Sequence, residues 1–147
     1  MSFFGDLLAG DAANKASKYN ASLMERDAKI TEQNAEQGYK VFNQYDLPRF
    51  DYYARKQSGA IKSQILASGA EFSGSAYAIA LENQIMVDTD KDMMQYNAEI
   101  RKEAGLNDAI MKRAEANVER YRGRVAKTAS YFKAASSLLT DYKTLNG

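Results

Sequence analysis

The sequence has no cysteine, no histidine and no tryptophan, and its only proline is Pro48. Without cysteine there is no disulfide framework, no thiolate nucleophile and no cysteine metal site. Without histidine the chain lacks the most common general base near neutral pH and the most common metal ligand. We therefore expect a protein that is not an enzyme and that binds no cofactor or metal.

The sequence also has little net charge and few long apolar runs. The 20 Lys and Arg residues nearly balance the 19 Asp and Glu residues, so the net charge is +1. A dedicated nucleic-acid binder would carry a basic excess on one face. No segment reaches the roughly 20 consecutive apolar residues that cross a bilayer as a helix. The first ten residues, MSFFGDLLAG, lack the basic n-region of a secretory signal, so we expect synthesis in the cytoplasm.

Good helix formers are abundant, and no segment alternates between apolar and polar residues as a strand would. The pattern predicts one helix over about residues 11–45, an interruption at DLPRF and a second helix over about 51–67. A proline disfavours the α conformation in the residue before it, so Leu47–Pro48 predicts a kink or a short step. A third, longer helix is predicted over about 76–142.

The segment SGAEFSGS, residues 68–75, has the composition of a chain reversal. Gly69 suits the position just after a helix, because glycine adopts positive φ without a steric penalty. Ser75 or Ser73 suits the N-cap of the next helix, where a hydroxyl accepts hydrogen bonds from free backbone N–H groups. We predict that Gly69, Gly74 and Ser75 form the turn.

These signals predict an all-α fold, an elongated, coiled-coil-like antiparallel helical hairpin that is kinked near Pro48 and forms a single domain. The predicted parts are an N-terminal apolar anchor (1–10), a first arm (11–67), the turn (68–75), a second arm (76–142) and a tail (143–147). Two helices alone bury little surface. We therefore expect the core to be completed by oligomerisation.

The second arm carries a stripe of residues spaced alternately four and three apart, which is the a/d pattern of a coiled-coil seam. The stripe comprises Met111, Ala114, Val118, Tyr121, Val125, Thr128, Phe132, Ala135, Leu139 and Tyr142. We predict that its large members hold the hairpin, or adjacent copies, together. Nearer the turn the same register is more polar. In a ring of copies, these polar side chains could pair with neighbouring copies or face the lumen of the ring. Alternatively, they are solvated and only set the register of the two helices.

Three further patterns have chemical alternatives. Asp88, Asp90 and Asp92 alternate like the start of a calcium loop, but Met93 replaces the required glycine, which favours a solvated acidic helix face. The basic segment KRAEANVERYRGRVAK could contact phosphates, but its glutamates favour a charged outer face with ion pairs. The anchor residues are apolar and favour docking onto protein over membrane insertion; they are Phe3, Phe4, Leu7 and Leu8.

The order of several short motifs resembles a known family. ERDAKITEQNAEQG precedes YARKQSGAIKSQILASGAEFSGSAY, and MQYNAEIRKEA and YRGRVAKTASYFKAASSLL follow. This order is similar to that of the internal virion protein B, or ejection-protein, family of podovirus-type tailed bacteriophages. The resemblance covers about residues 24–139. The matching positions are Arg55, Gly59, Ser68, Gly69, Gly74, Ser75, Tyr96, Asn97, Arg122, Gly123, Lys127 and the run 134–139.

The resemblance implies a non-enzymatic virion protein that lies inside the capsid, at the portal core or tail opening, in several copies. The implied partners are further copies of the chain, portal, tail or other core proteins, genomic DNA in transient contact, and the host envelope after ejection. The chain is short and lacks the extra apolar segments of a channel former. A fixed head–tail or tail ring component therefore stays an alternative, and a cytoplasmic coiled-coil assembly adaptor is a second one.

Overall fold

The computed structural model describes residues 3–69 and 74–145, with the side chains of these residues except 3, 141 and 143–145. The fold is an all-α hairpin in which two long arms pack antiparallel, as predicted, and the described residues include no strand. The first arm consists of α1, a π-helical segment and α2, and the second arm is α3. Their bounds are α1 Phe3–Val41, the π segment Phe42–Asp46, α2 Leu47–Ala67 and α3 Ser75–Leu145.

Both arms extend beyond their predicted ends. Helix α1 begins at Phe3, so residues 3–10 of the predicted anchor form its first turns. Asp6 lies in the first turn, where a negative charge stabilises the positive end of the helix dipole. Gly10 is buried in contact distance of Ser130, and this tertiary packing offsets the low helix propensity of glycine. Helix α3 continues to Leu145, through most of the predicted tail.

The α-helix of the first arm is interrupted close to DLPRF, as predicted, but the backbone stays helical because the interruption is a π segment. Leu47 has φ −65° and ψ −48°, an α conformation, although it precedes Pro48. Its N–H donates to the carbonyl of Phe42, one residue further back than in an α-helix. The wider π turn relieves the clash between a proline ring and the carbonyl four residues earlier. Pro48 lies in the first turn of α2, where its missing N–H costs least.

The end of α2 has the geometry predicted for it. Gly69 has φ 73° and Gly74 has φ 59°, and both are left-handed conformations that favour glycine. The N–H of Gly69 donates to the carbonyl of Leu66 at 3.1 Å. Ser75 is not an N-cap, because it is the first residue of α3, and the carbonyl of Gly74 accepts a hydrogen bond from the N–H of Ala78. The alternative N-cap, Ser73, lies outside the described residues.

The hairpin contains two compact units. Unit 1 comprises Met1–Glu32 and Leu106–Gly147, and unit 2 comprises Gln33–Gly105. The interpretation as a single domain stays a prediction. Within the ranges that the structure describes, none of the helices has an apolar stretch of the length and hydropathy that a bilayer crossing requires.

Candidate assembly site

In unit 1 the two helices contact each other through small side chains. On α1 the buried residues include Asn14, Ala21 and Ala28, and on α3 they include Ala109, Ala116, Gly123 and Ser130, so on both helices small residues recur every seven positions. A seven-residue repeat keeps one face of each helix toward its partner. The buried apolar residues that the structure describes are all alanines. Small residues at a contact allow two helix axes to approach closely.

Two glycines of unit 1 show how close this approach is. A β-carbon at Gly123 would lie 2.7 Å from the β-carbon of Ser17 and 3.1 Å from Oδ1 of Asn14. A β-carbon at Gly10 would lie 2.4 Å from the β-carbon of Ser130. Because β-carbons are fixed to their backbones, no rotamer change relieves these contacts. We call the buried small residues of unit 1, with Gly10 and Ser17, the small-residue face.

Unit 2 has a comparable close contact but a more polar interior. A β-carbon at Gly105 would lie 2.6 Å from the β-carbon of Ala35. Nearby, Lys102 lies 4.7 Å above the ring of Tyr39. Further along, Lys91 and Asp51 form an ion pair at 2.9 Å, with about one third of each side chain exposed. Half-buried charges that are paired in this way cost less desolvation than unpaired ones.

Ion pairs between the arms run along one side of the small-residue face. Lys127 pairs with Asp11 at 3.2 Å, and Arg120 pairs with Glu25 at 2.7 Å. The third pair joins Arg113 and Glu32. The basic members recur every seven residues on α3, and the acidic members lie seven or fourteen residues apart on α1. A shift of one helix along the other would separate all three pairs, so they fix the antiparallel register.

The basic segment predicted from the sequence therefore has the character of a charged, ion-paired face. Besides the three residues just described, Lys112 pairs with Asp108 at 3.0 Å, and Arg122 pairs with Glu119 at 3.5 Å. The segment spans residues 112–127 and contains six Lys and Arg residues. Five of these six have carboxylate partners within the chain. Neutralised in this way, they attract phosphate groups less than free cations would.

Unit 1 should lose stability in acid. The pKa of Asp11 is lowered below its usual 3.8, mainly by the hydrogen bond from Lys15 and then by that from Lys127. The pKa of Glu25 is lowered below its usual 4.5 by the hydrogen bond from Arg120. At a pH just below these usual pKa values, the unfolded chain therefore binds more protons than the folded chain. Stability is fully present above about pH 5 and falls as the pH drops through the lowered pKa values.

Circular dichroism melting curves between pH 7 and pH 2 would measure this loss. The double variant Asp11→Asn, Glu25→Gln should be less stable at pH 7 and should show a smaller decrease in melting temperature between pH 5 and pH 2. An unchanged decrease in that variant would assign the acid sensitivity to other groups.

The predicted a/d stripe does not face α1. Met111, Val118, Tyr121, Val125 and Phe132 are all exposed, as are Leu139 and Tyr142. Each residue of the stripe follows a residue of the small-residue face by two or five positions. Because an α-helix has 3.6 residues per turn, both offsets place the stripe on the opposite side of α3. The prediction that the stripe closes the hairpin is wrong, because the closely spaced backbones leave no room for large side chains. Its alternative, contact between copies, stays a prediction. We call this surface the α3 edge.

The N-terminal apolar residues divide between two environments. Leu7 is half-buried within unit 1, whereas Phe4 and Leu8 are exposed on the first turns of α1. The side chain of Phe3 lies outside the described set. Docking of this segment onto another protein stays a prediction.

Unit 2 has a surface groove beside the π segment, which sequence reasoning did not anticipate. Its lining includes Asp46, Arg49, Tyr53 and Arg101. The guanidinium of Arg49 lies 5.8 Å from the centre of the Tyr53 ring, a cation–π distance. With one carboxylate and two guanidinium groups, the charged lining residues carry a net positive charge. The sequence feature that could have indicated this groove is Pro48, a proline within an otherwise helical pattern.

The acidic cluster has no metal-site geometry. Asp88 accepts a hydrogen bond from Gln84 at 2.9 Å. Asp88 and Asp92 lie one turn apart on the same face of α3, and Asp90 points to a different side. Among the described residues no group of three or more metal-binding side chains comes together. The α3 edge, by contrast, is a continuous stripe that carries exposed large apolar side chains. Comparison of the chain with protein-family models, curated proteins and solved structures finds no match.

Proposed function

We propose that this protein is a non-enzymatic bacteriophage virion protein, an internal core or ejection protein at the portal or tail opening. In this proposal it assembles as a multimer along the DNA exit path and assists genome delivery. The observation that carries the assembly part is the exposure of the α3 edge: alanines are the buried apolar residues that the structure describes, whereas the large apolar side chains of the α3 edge are exposed. The virion part is supported by the sequence resemblance.

The α3 edge is large enough to hold copies together. Tyr121, Phe132 and Tyr142 are 63%, 74% and 68% exposed. An aromatic side chain offers roughly 150–250 Å² for burial, so these three leave on the order of 300–500 Å² per copy. Exposed aliphatic residues of the same edge add to this area. A stable protein interface buries about 800 Å² per partner, and the α3 edge supplies most of it.

The charge pattern suits a surface along which DNA passes. Strong phosphate contacts slow the movement of DNA, whereas Arg113, Arg120 and Lys127 of unit 1 are paired with carboxylates of the same chain. Weak, transient contact with genomic DNA is therefore the expected behaviour. Filter binding with duplex DNA should show no tight complex at physiological salt.

Quantitative mass spectrometry of purified particles, before and after triggered genome release, tests the proposal. We expect the protein in intact particles in several copies and its loss on release, because an ejected core protein leaves with the genome. Retention in emptied particles would replace ejection by a fixed head–tail or tail ring role. Absence from both samples would overturn the virion assignment and favour the cytoplasmic adaptor.

A further inference from the structure

Helix α1 of unit 1 carries a second outward stripe that the sequence reasoning did not assign. Its residues are spaced alternately four and three apart and lie two and five positions after the buried residues of α1, on the far side of that helix. We call this stripe the α1 edge. It comprises Ala12, Ala16, Tyr19, Leu23, Arg26 and Ile30, and Tyr19, Leu23 and Ile30 are exposed large apolar residues.

The contacts within unit 1 fix the level of each edge residue along the hairpin. Gly123 lies against Ser17, and Lys112 donates to the hydroxyl of Thr31 at 2.8 Å. We call the level of a residue along the helix axes its height. Counted from these two contacts, the large apolar residues of the two edges have matching heights and lie on opposite sides of unit 1. Three matched pairs are Tyr19 with Tyr121, Leu23 with Val118 and Ile30 with Met111.

Size and charge also match between the edges. Ala16 stands at the height of Val125 and Ala12 at the height of Thr128, so a small residue of the α1 edge meets a residue of moderate size at each of these levels. Arg26, the charged member of the α1 edge, stands at the height of Glu115, which is exposed beside the α3 edge. A neighbouring copy placed alongside would bring these opposite charges together.

We propose that copies assemble edge to edge, with the α3 edge of unit 1 in one copy packed against the α1 edge of unit 1 in the next. This inference rests on the proposed self-association and names the surfaces that carry it. Because the edges match at equal heights, the neighbour needs no shift along the helix direction. The interface joins two different surfaces, so it is heterologous, and a rotation between successive copies that closes generates a ring.

Complementary edge variants test this arrangement against a symmetric one. The first variant, Val125→Glu with Phe132→Glu, disables the α3 edge, and the second, Tyr19→Glu with Leu23→Glu, disables the α1 edge. All four positions are exposed, and circular dichroism would verify that each variant keeps its helix content. Sedimentation velocity of each variant alone, of their equimolar mixture and of the wild type gives the assembly state.

We expect multimers for the wild type, monomers for each variant alone and a heterodimer that grows no further for the mixture. In the mixture the first variant supplies an intact α1 edge and the second supplies an intact α3 edge. Each variant alone should self-associate at least about 100-fold more weakly than the wild type. Dimers of the second variant alone would overturn the edge-to-edge arrangement in favour of pairing between two α3 edges, while self-association would stand. A monomeric wild type at all concentrations would instead overturn the assembly on which the proposed function depends.

Engineered thiols supply a second readout, because the chain has no cysteine of its own. The double variant Leu23→Cys, Val118→Cys should oxidise to a ladder of cross-linked multimers. A mixture of the two single variants should yield one mixed dimer that joins residue 23 to residue 118. A double variant that forms no cross-linked species beyond dimer would contradict the proposed continuous chain of contacts.

Discussion

Replacing Gly105 by alanine should destabilise the hairpin by about 1–3 kcal/mol, the usual cost of overpacking a contact that cannot rearrange. The added β-carbon would lie 2.6 Å from the β-carbon of Ala35, so the two helices must separate. The substitution at Gly38 provides a matched control in the same unit, because nothing lies within 4 Å of a β-carbon there. Gly38→Ala should stabilise the protein by about 1 kcal/mol through helix propensity alone.

Urea unfolding followed by circular dichroism, at one protein concentration, would measure both free energies of unfolding. The two chemically identical substitutions should differ by about 2–4 kcal/mol, with opposite signs. Gly123→Ala should reproduce the loss in unit 1, where the added β-carbon meets Ser17. Equal stabilisation by Gly105→Ala and Gly38→Ala would show that the helices are not as close as the structure has them.

The hairpin itself was predictable because several local signals agree. Good helix formers fill both arms, and the glycines at the turn mark positions where the backbone must adopt positive φ, as Gly69 and Gly74 do. The helical passage through Pro48 was not predictable, because the rule for residues before proline disfavours the α conformation that Leu47 adopts. A π turn changes the carbonyl that the proline ring meets, and the sequence does not record this change.

The packed face was mispredicted because the strongest apolar periodicity is not the buried one. The sequence predicted that the large apolar residues of α3 hold either the hairpin or adjacent copies together, as the a/d rule suggests, and the first of these alternatives is wrong. A weaker signal, the recurrence of small residues every seven positions at Ala109, Ala116, Gly123 and Ser130, marks the true contact. Two stripes half a turn apart on one helix indicate two different partners. One partner is the other arm, and under the proposed self-association the second is a further copy of the chain.

Charging the α3 edge should abolish self-association. In the double variant Val118→Glu, Tyr121→Glu, each substitution removes roughly 2 kcal/mol of apolar burial and adds a carboxylate that the interface would have to desolvate. A total loss above about 4 kcal/mol weakens association by about 1000-fold or more. Sedimentation equilibrium over a wide concentration range would show monomers where the wild type forms multimers.

The double variant Leu66→Glu, Ile79→Glu is the matched control for this prediction. Leu66 is 64% exposed, close to the 63% of Tyr121, and it lies in unit 2 near the turn, as Ile79 does. The control adds the same charge and removes similar apolar surface, so it changes solubility and net charge as the edge variant does. Association that survives in the control and is lost in the edge variant assigns the interface to the α3 edge. Equal weakening in both would show that overall charge opposes assembly, and the exposed apolar residues of α3 would then need another partner to cover them.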